Sequence, residues 1–504
     1  MDNIRFIINI VTQTNFTVLI AIISILITIL SLIFAIYQFR KFSKLKKDIE
    51  NRQEKRIEYY SPRKILEKRI SDTYITEIEL KNIRCFQNLR IDLHSDYNNE
   101  TPTLWTVILG DNSAGKTTLL RSIALGLCME SDAISLMKQV SGEFVRKGEK
   151  EGEINITLQN YKSKEEFKIT TRILKRPRDG SEILRQDPTY EKYRSNIFVC
   201  GYGAQRSGKA SSSFEKYNPK DAVQLLFNYE GHLQNPEIIL LRQDPNIRKL
   251  IERKLLNILM LEEQSAEMNY LKSGLELRGP WGNMEFDSIS DGYRSTSIWL
   301  LDFLSWSIYA GSFSTDEEIG GIILIDELEQ HLHPKWQRYI IQRLHTQFAK
   351  TQFFASTHTP LLASGAVDLR NSIIFRLSLD ALQEASGKSI DKRQLEGKRA
   401  DQILSEAFGL ITSRSPGSID DLNRYGELFY RKRNSVEEME FQILIKKLNK
   451  SLFIGENTVE QLVEKAVMEV LENTLKNPPS ELVTLTAKKK IKELFNREKK
   501  GEKD

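Results

Sequence analysis

The sequence predicts an α/β fold with a helical insert, a helical C-terminal region and one N-terminal transmembrane helix. Three stretches carry that prediction. Leu104 to Leu109 is a short apolar run that passes into a glycine-containing loop and then into the apolar helical stretch Thr118 to Leu127. Ile322 to Ile325 is a second wholly apolar run, and it ends on two carboxylates, Asp326 and Glu327. Both read as central strands of a parallel sheet, which are buried on both faces and so show continuous rather than alternating hydrophobicity. Val18 to Tyr37 holds no charge over about twenty residues, enough helix to span roughly 30 Å of hydrocarbon.

At 504 residues the chain exceeds one ordinary core, so two or three units are expected. The net charge of +5, from 73 basic and 68 acidic side chains, is too even to argue for nucleic acid by itself. Cys85, Cys128 and Cys200 share no metal-ligand spacing and cannot all pair with one another. A reducing compartment, with the thiols as small buried apolar groups, is the simplest reading.

Residues 1–40 form an N-terminal tail and the span at about 18–37. A buried core helix of that length would carry a polar stripe, and this one offers only Ser24, Thr28 and Ser31. A signal peptide would end in a small-residue cleavage site, whereas Gln38-Phe39-Arg40-Lys41 follows here. Arg5 stands alone before the span, while Arg40, Lys41, Lys44, Lys46 and Lys47 crowd behind it. The positive-inside rule then expects a single-pass protein of a bacterial-type cell membrane, with the N-terminus outside and the rest in the cytoplasm. Residues 41–73 read as a basic linker, either resting on anionic headgroups or simply solvated.

Residues 74–93 alternate as two short strands joined by a turn. Further strands are expected at Ile154–Leu158, Phe167–Ile173 and Ile197–Cys200. Residues 217–277 read as helical, the heart of an insert at about 210–285. A helix from Pro334 to about Phe348 and a strand at Thr351–Ala355 complete an α/β region spanning 74–380. Residues 381–504 read as helical and charged, with a polar tail. No internal repeat and no long heptad run is present in the sequence.

Gly110-Asp111-Asn112-Ser113-Ala114-Gly115-Lys116-Thr117 fits G-x-x-x-x-G-K-[ST], in the required strand–loop–helix setting. Such a loop turns backbone N–H groups and a helix N-terminus toward phosphates. Lys116 supplies a positive charge for ATP, Thr117 a hydroxyl for Mg²⁺, and Thr118 is expected among the ATP-binding residues. Asp326 is the expected second Mg²⁺ contact and Glu327 the general base for the attacking water.

These residues are joined by others that carry a family resemblance. Ser290-Asp291-Gly292-Tyr293-Arg294 resembles the Ser-x-Gly-x-Arg form of the ABC-type signature motif. Asp326 to Pro334 followed by Trp336-Gln337 is similar to the D-E-x-E-x-H-L-H-P-x-W-Q string of ABC ATPases related to RecF and to the overcoming-lysogenization-defect nucleases. Thr357-His358-Thr359-Pro360 matches the switch-histidine motif of the same group. The resemblance covers residues 74–380 and implies an ABC-type P-loop NTPase sheet that hydrolyses ATP as a head-to-head dimer. It assigns Ser290, Gly292 and Arg294 to ATP on the opposite subunit, and His358 to sensing the γ-phosphate. Ser290 also reads as the N-cap of a helix over Gly292–Trp306. Tyr202-Gly203-Ala204-Gln205-Arg206 occupies the Q-loop position, which makes Gln205 a candidate Mg²⁺ or water contact, with Arg206 competing for that role. Arg84, in Asn82-Ile83-Arg84-Cys85-Phe86, resembles a hairpin residue that flanks the adenine or the phosphates. His331 and His333 alternate but have no third ligand suitably spaced, so they read as an interface loop rather than a zinc site.

Leu233-Gln234-Asn235-Pro236-Glu237, Ala400 to Leu404 and Thr412 to Pro416 look like segments of compact ATPases from bacterial anti-phage systems, Septu among them. That likeness implies an energy or sensor module acting with a separate effector. The alternative is a RecF-like DNA-maintenance ATPase binding DNA at the membrane. Leu452 to Asn457 imitates the opening of a TOPRIM nuclease, but no Asp-x-Asp follows it, which argues against an intrinsic nuclease.

Overall fold

The computed structural model describes residues 73–94 and 102–451, apart from short stretches of which 207–215 and 409–416 are the longest. The chain divides into two compact units, Met1–Leu410 and Ile411–Asp504.

The first unit opens with β1 (Thr73–Ile83) and β2 (Phe86–Asp92), followed by β3 (Trp105–Gly110) and the helix Lys116–Leu127. Then come β4 (Glu151–Asn160), β5 (Glu166–Lys175), β6 (Glu182–Gln186) and β7 (Val199–Tyr202). After short helices the chain forms β8 (Glu267–Leu271), β9 (Gly274–Gly279) and β10 (Gly282–Glu285), and then the long helix Asp291–Tyr309. The last strands are β11 (Gly320–Ile325), β12 (Lys350–Thr357), β13 (Ser372–Leu379) and β14 (Ala385–Ile390).

Three sheets result. An antiparallel sheet has the order β2-β1-β4-β5-β6, a small antiparallel sheet the order β10-β9-β8, and a mixed sheet the order β14-β13-β3-β12-β11-β7. In the mixed sheet β13, β3, β12, β11 and β7 run parallel and only β14 is antiparallel. The apolar run of β11 feeds both sides of that sheet. Ile322 and Leu324 join the core around the Lys116–Leu127 helix, while Ile323 and Ile325 join the core around the Asp291–Tyr309 helix. Every residue of β3 and β11 is buried, which is why neither run alternates. The Lys116–Leu127 helix lies between the β1 sheet and the mixed sheet, and all but one of its residues are buried.

The structure corrects the helical reading of the insert's second half. Residues 217–258 do contain the helices Pro219–Val223, Pro236–Leu241 and Pro245–Ile258, each opened by an Asn or Asp cap and a proline. Residues 267–285 instead form β8, β9 and β10. Met268, Leu275 and Leu277 are buried, and within β9 Leu275 and Leu277 alternate with Glu276 and Arg278. That is the period-two pattern of a strand with one covered face. The stretch expected as one helix from Pro334 is two, Pro334–Gln337 and Ile340–Gln347. Strand β14 and the helix Ala400–Phe408, both past residue 380, lie in the first unit. In the second unit the helix Ser435–Ser451 is described, with Arg424 paired to Glu440 and Lys447 to Asp421.

The expectation of a single-pass membrane protein is also corrected. Among the described residues no helix is long and apolar enough to cross a membrane. The longest, Asp291–Tyr309, is a core helix carrying Asp302 and several serines. The Val18–Tyr37 run lies outside the described residues, as do the 41–72 linker, Thr412–Pro416's segment and Leu452 to the C-terminus. No described helix supports the anchor or the topology derived from it.

Candidate nucleotide site

Parallel strands place their ligands beyond their carboxyl ends, and the register of the mixed sheet brings four such ends level. Leu109 pairs with Thr357, Ile325 with Ala355, and Ile325 with Tyr202. The phosphate loop leaves β3, His358 leaves β12, Asp326 and Glu327 leave β11, and Arg206 follows β7. Because β12 lies between β3 and β11, its histidine is delivered between the loop lysine and the two carboxylates.

A cavity of about 310 Å³ opens there, lined by Arg84, Cys85, Asn112, Ser113, the stretch from Gly115 to Thr118, and Asp326, Glu327 and His358. Gly115 takes φ +96°, a left-handed turn that glycine adopts without strain, and caps the Lys116–Leu127 helix. The Lys116 ammonium lies 2.7 Å from the Gly110 carbonyl and 2.9 Å from that of Asp111. Burial lowers the pKa of Lys116, against the pull of Asp326 and Glu327, which favour the charged form. His358 bridges the cavity, with Nδ1 3.4 Å from Lys116 Nζ and Nε2 3.7 Å from Glu327 Oε1. An ammonium only donates, so a hydrogen bond from Lys116 requires the tautomer with Nδ1 as acceptor.

Thr117 Oγ1 donates to Asp326 Oδ2 at 2.6 Å. A hydroxyl and a carboxylate meeting beside a phosphate loop fit Mg²⁺, which takes one or two protein oxygens and completes its shell from water and phosphate. Those two residues would hold the ion, which would supply charge neutralisation at the phosphates.

The glutamate backbone is unusual. Glu327 has φ +50°, a strained conformation for a residue with a β-carbon. Its N–H donates to Ser356 Oγ at 2.8 Å, its carbonyl accepts from Arg206 Nη2 at 2.6 Å, and the Asp326 carbonyl accepts from Arg206 Nη1 at 3.0 Å. Ser356 Oγ also donates to Asp326 Oδ1. Burial brings the Arg206 pKa down to about 10, with Asp326, Glu329 and Glu327 opposing the fall, so the guanidinium stays charged at neutral pH.

Other expected residues are placed differently. Gln205 is exposed and does not line the cavity; its neighbour Arg206 is the buried one. Arg84 does line it, with φ +48°, stacked 4.6 Å from the Phe144 ring centre and donating to the Ser141 and Glu143 carbonyls. Burial, then the nearby Arg121, depress its pKa. Ser290, Gly292 and Arg294 stand at the start of the Asp291–Tyr309 helix and do not line this chain's cavity. Gly292 is pressed against the His331 backbone, where a β-carbon would come within 2.6 Å of its carbonyl oxygen. His333 accepts from the Lys335 N–H and caps the Pro334–Gln337 helix. Leu233–Glu237 lies away from the cavity. Gln234 and Tyr202 both donate to the buried Asp302, at 3.0 and 2.9 Å, and Asn235 caps the Pro236–Leu241 helix.

Sequence reasoning missed Ser356 and Glu329. Glu329 Oε1 accepts from the His358 N–H at 2.5 Å. The second glutamate of D-E-x-E was visible in the string, but no rule of spacing says what it touches.

Residues 77–289 match the family model described as the AAA domain. The chain carries an AAA-type ATPase domain. It is 27% identical over 419 residues to the Septu protein PtuA of Bacillus mycoides, covering 78% of this chain and 53% of that one. The chain thus spans about half the length of that relative. It is 23% identical to the Retron Vc95 probable ATPase of Vibrio cholerae, over 64% of this chain and 81% of that one. Among solved structures, the Smc head bound to the C-winged helix domain of ScpA superposes with a TM-score of 0.43 at 17% identity, over 63% of this chain and 98% of that one.

Proposed function

We propose that the protein hydrolyses ATP with Mg²⁺ in a head-to-head pair, as the nucleotide-driven module of an anti-phage defence system that acts with a separate effector. The observation carrying the catalytic reading is the strand order, which sets Lys116, Thr117, Asp326, Glu327 and His358 around one cavity. In this reading the loop N–H groups and Lys116 bind the phosphates, Thr117 and Asp326 hold Mg²⁺, Glu327 takes a proton from the attacking water, and His358 registers the γ-phosphate. The pair is supported by the position of Ser290, Gly292 and Arg294, grouped at a helix start yet outside their own chain's cavity. A helix N-terminus and an arginine suit a transferring phosphate, so the reading assigns them to the partner's ATP. The defence role is supported by the names of the relatives.

Mixing two defective proteins tests the pair. Lys116→Ala damages a site's own cradle, and Arg294→Ala damages the site formed across the interface. A mixed dimer holds one doubly damaged and one intact site, so hydrolysis returns toward half the wild-type rate. An arginine on a transferring phosphate is worth roughly 10³-fold or more, so that return stands far above either parent. Mixed dimers that form and hydrolyse nothing refute the trans assignment.

A further inference from the structure

Arg206 was expected to compete with Gln205 for a contact at the nucleotide, yet it is 1% exposed, does not line the cavity and reaches into the turn after β11. Its fork spans two successive carbonyls, those of Asp326 and Glu327. The strained Glu327 residue is thereby gripped from every side. The Asp326 N–H donates to the Tyr202 carbonyl at 2.8 Å, the Glu327 N–H to Ser356 Oγ, and the Leu328 N–H to the Ser356 carbonyl at 3.0 Å. A left-handed non-glycine residue persists only where its surroundings over-determine it, and the guanidinium shares the carbonyl side of that determination with the Gln330 N–H, which donates to the Glu327 carbonyl at 3.0 Å. Two residues on, Glu329 does the equivalent for His358 by accepting its backbone N–H. Arg206 Nε and Glu329 Oε2 are enclosed and make no hydrogen bond, one a donor and the other an acceptor. Glu329 also acts on Arg206 through its charge.

We infer that Arg206 and Glu329 are paired positioning residues for hydrolysis: Arg206 fixes the backbone that aims Glu327, and Glu329 fixes the backbone that aims His358. The inference rests on the reading of Glu327 as general base. Neither residue lines the cavity, so both are expected to act on turnover rather than on binding. A Lys at 206 keeps the charge but has no planar fork, so it cannot hold both carbonyls in the same geometry. A Gln at 329 keeps an oxygen to accept the His358 N–H, and an Ala does not.

The test uses the full chain, steady-state ATP hydrolysis and equilibrium binding of a fluorescent ATP analogue. Arg206→Lys is expected to keep the analogue's Kd within about threefold and to lower kcat roughly 10- to 100-fold, the size of effect that a misplacement near 1 Å produces. On a Glu327→Gln background it should change the residual rate less than about twofold, because its target is already gone. Glu329→Ala should lower kcat without raising Kd, Glu329→Gln should recover most of that loss, and Glu329→Ala should add nothing to His358→Ala. A rise in Kd with kcat unchanged in Arg206→Lys overturns the inference, since that marks a nucleotide or metal contact. Equal losses from Arg206→Lys with and without Glu327→Gln overturn it too. If Arg206→Lys fails to fold, the Glu329 series decides, and an unchanged kcat in Glu329→Ala is fatal. A Glu327→Gln protein that hydrolyses ATP at the wild-type rate sinks the base assignment itself. A dead Glu327→Gln beside a fully active Arg206→Lys sinks only the inference.

Discussion

Gly115→Ala separates what the phosphate loop needs from its backbone and what it needs from its neighbours. At φ +96° an L-residue is strained, and a left-handed conformation costs such a residue about 1–2 kcal/mol. The added β-carbon would also stand 2.5 Å from Phe86 Cζ and 2.7 Å from Cys85 Sγ. Phe86 is fully buried in the core beneath the β1–β2 hairpin and has nowhere to swing, so overpacking adds about 1–3 kcal/mol. The expected total is about 2–5 kcal/mol. Gly148→Ala is the matched control, because Gly148 has φ +91° and nothing within 4 Å of the new carbon. It should lose only the backbone share, about 1–2 kcal/mol. Urea midpoints at constant m give both values. A fluorescent ATP analogue should bind at least about tenfold more weakly to Gly115→Ala, a loss of about 1.4 kcal/mol, and unchanged to Gly148→Ala. If the two variants lose equal stability, the hairpin does not brace the loop and the packing argument is wrong.

Three further outcomes follow from the same geometry. Ser356→Ala removes one hydroxyl that serves both Asp326 and the Glu327 N–H, so kcat should fall about tenfold while the ATP analogue still binds; undiminished kcat would show that the Glu327 turn does not need it. Gly292→Ala forces the Asp291–Tyr309 helix off the His331 carbonyl, and ATP-dependent dimers of a Glu327→Gln protein should weaken in sedimentation, with the monomer still binding nucleotide. Asp302 is buried, and desolvation raises its pKa from 3.8 to about 6. The folded state therefore holds a proton that the unfolded chain releases over that interval, so Asp302's contribution to stability is present below pH 3.8 and lost as pH rises to about 6. Asp302→Asn should gain stability relative to wild type across the same window, by up to about 3 kcal/mol, and a flat difference in urea midpoints would refute the burial argument.

The sequence showed the site wherever chemistry demands a residue type at a fixed spacing. Gly110 to Thr117 and Asp326-Glu327 could be located because backbone curvature and a strand end leave few alternatives. Apolar continuity located β3 and β11 for a related reason, since a strand covered on both faces has no polar positions. The hairpin at 267–279 was misread because Met268, Tyr270, Leu275 and Leu277 make too short a run to separate a period of two from one of 3.6. Arg206 and Gln205 stand side by side, and no sequence rule says which of two neighbours turns inward. Ser356 and Glu329 act on backbone groups of residues about thirty positions away, a relation that only the pairing of β11 with β12 creates.

Asp302 has one more consequence. Its carboxylate is shared by Tyr202, at the end of the strand that leads to Arg206, and by Gln234, at the root of the insert. Beside Gln234, Glu237 accepts from the Leu275 N–H of β9 at 3.1 Å. Asp302 thus ties the small sheet, through Glu237 and Gln234, to the strand that ends at Tyr202. Removing the shared acceptor in Asp302→Ala should therefore loosen the Tyr202 strand and the insert together, read as raised hydrogen exchange in both segments.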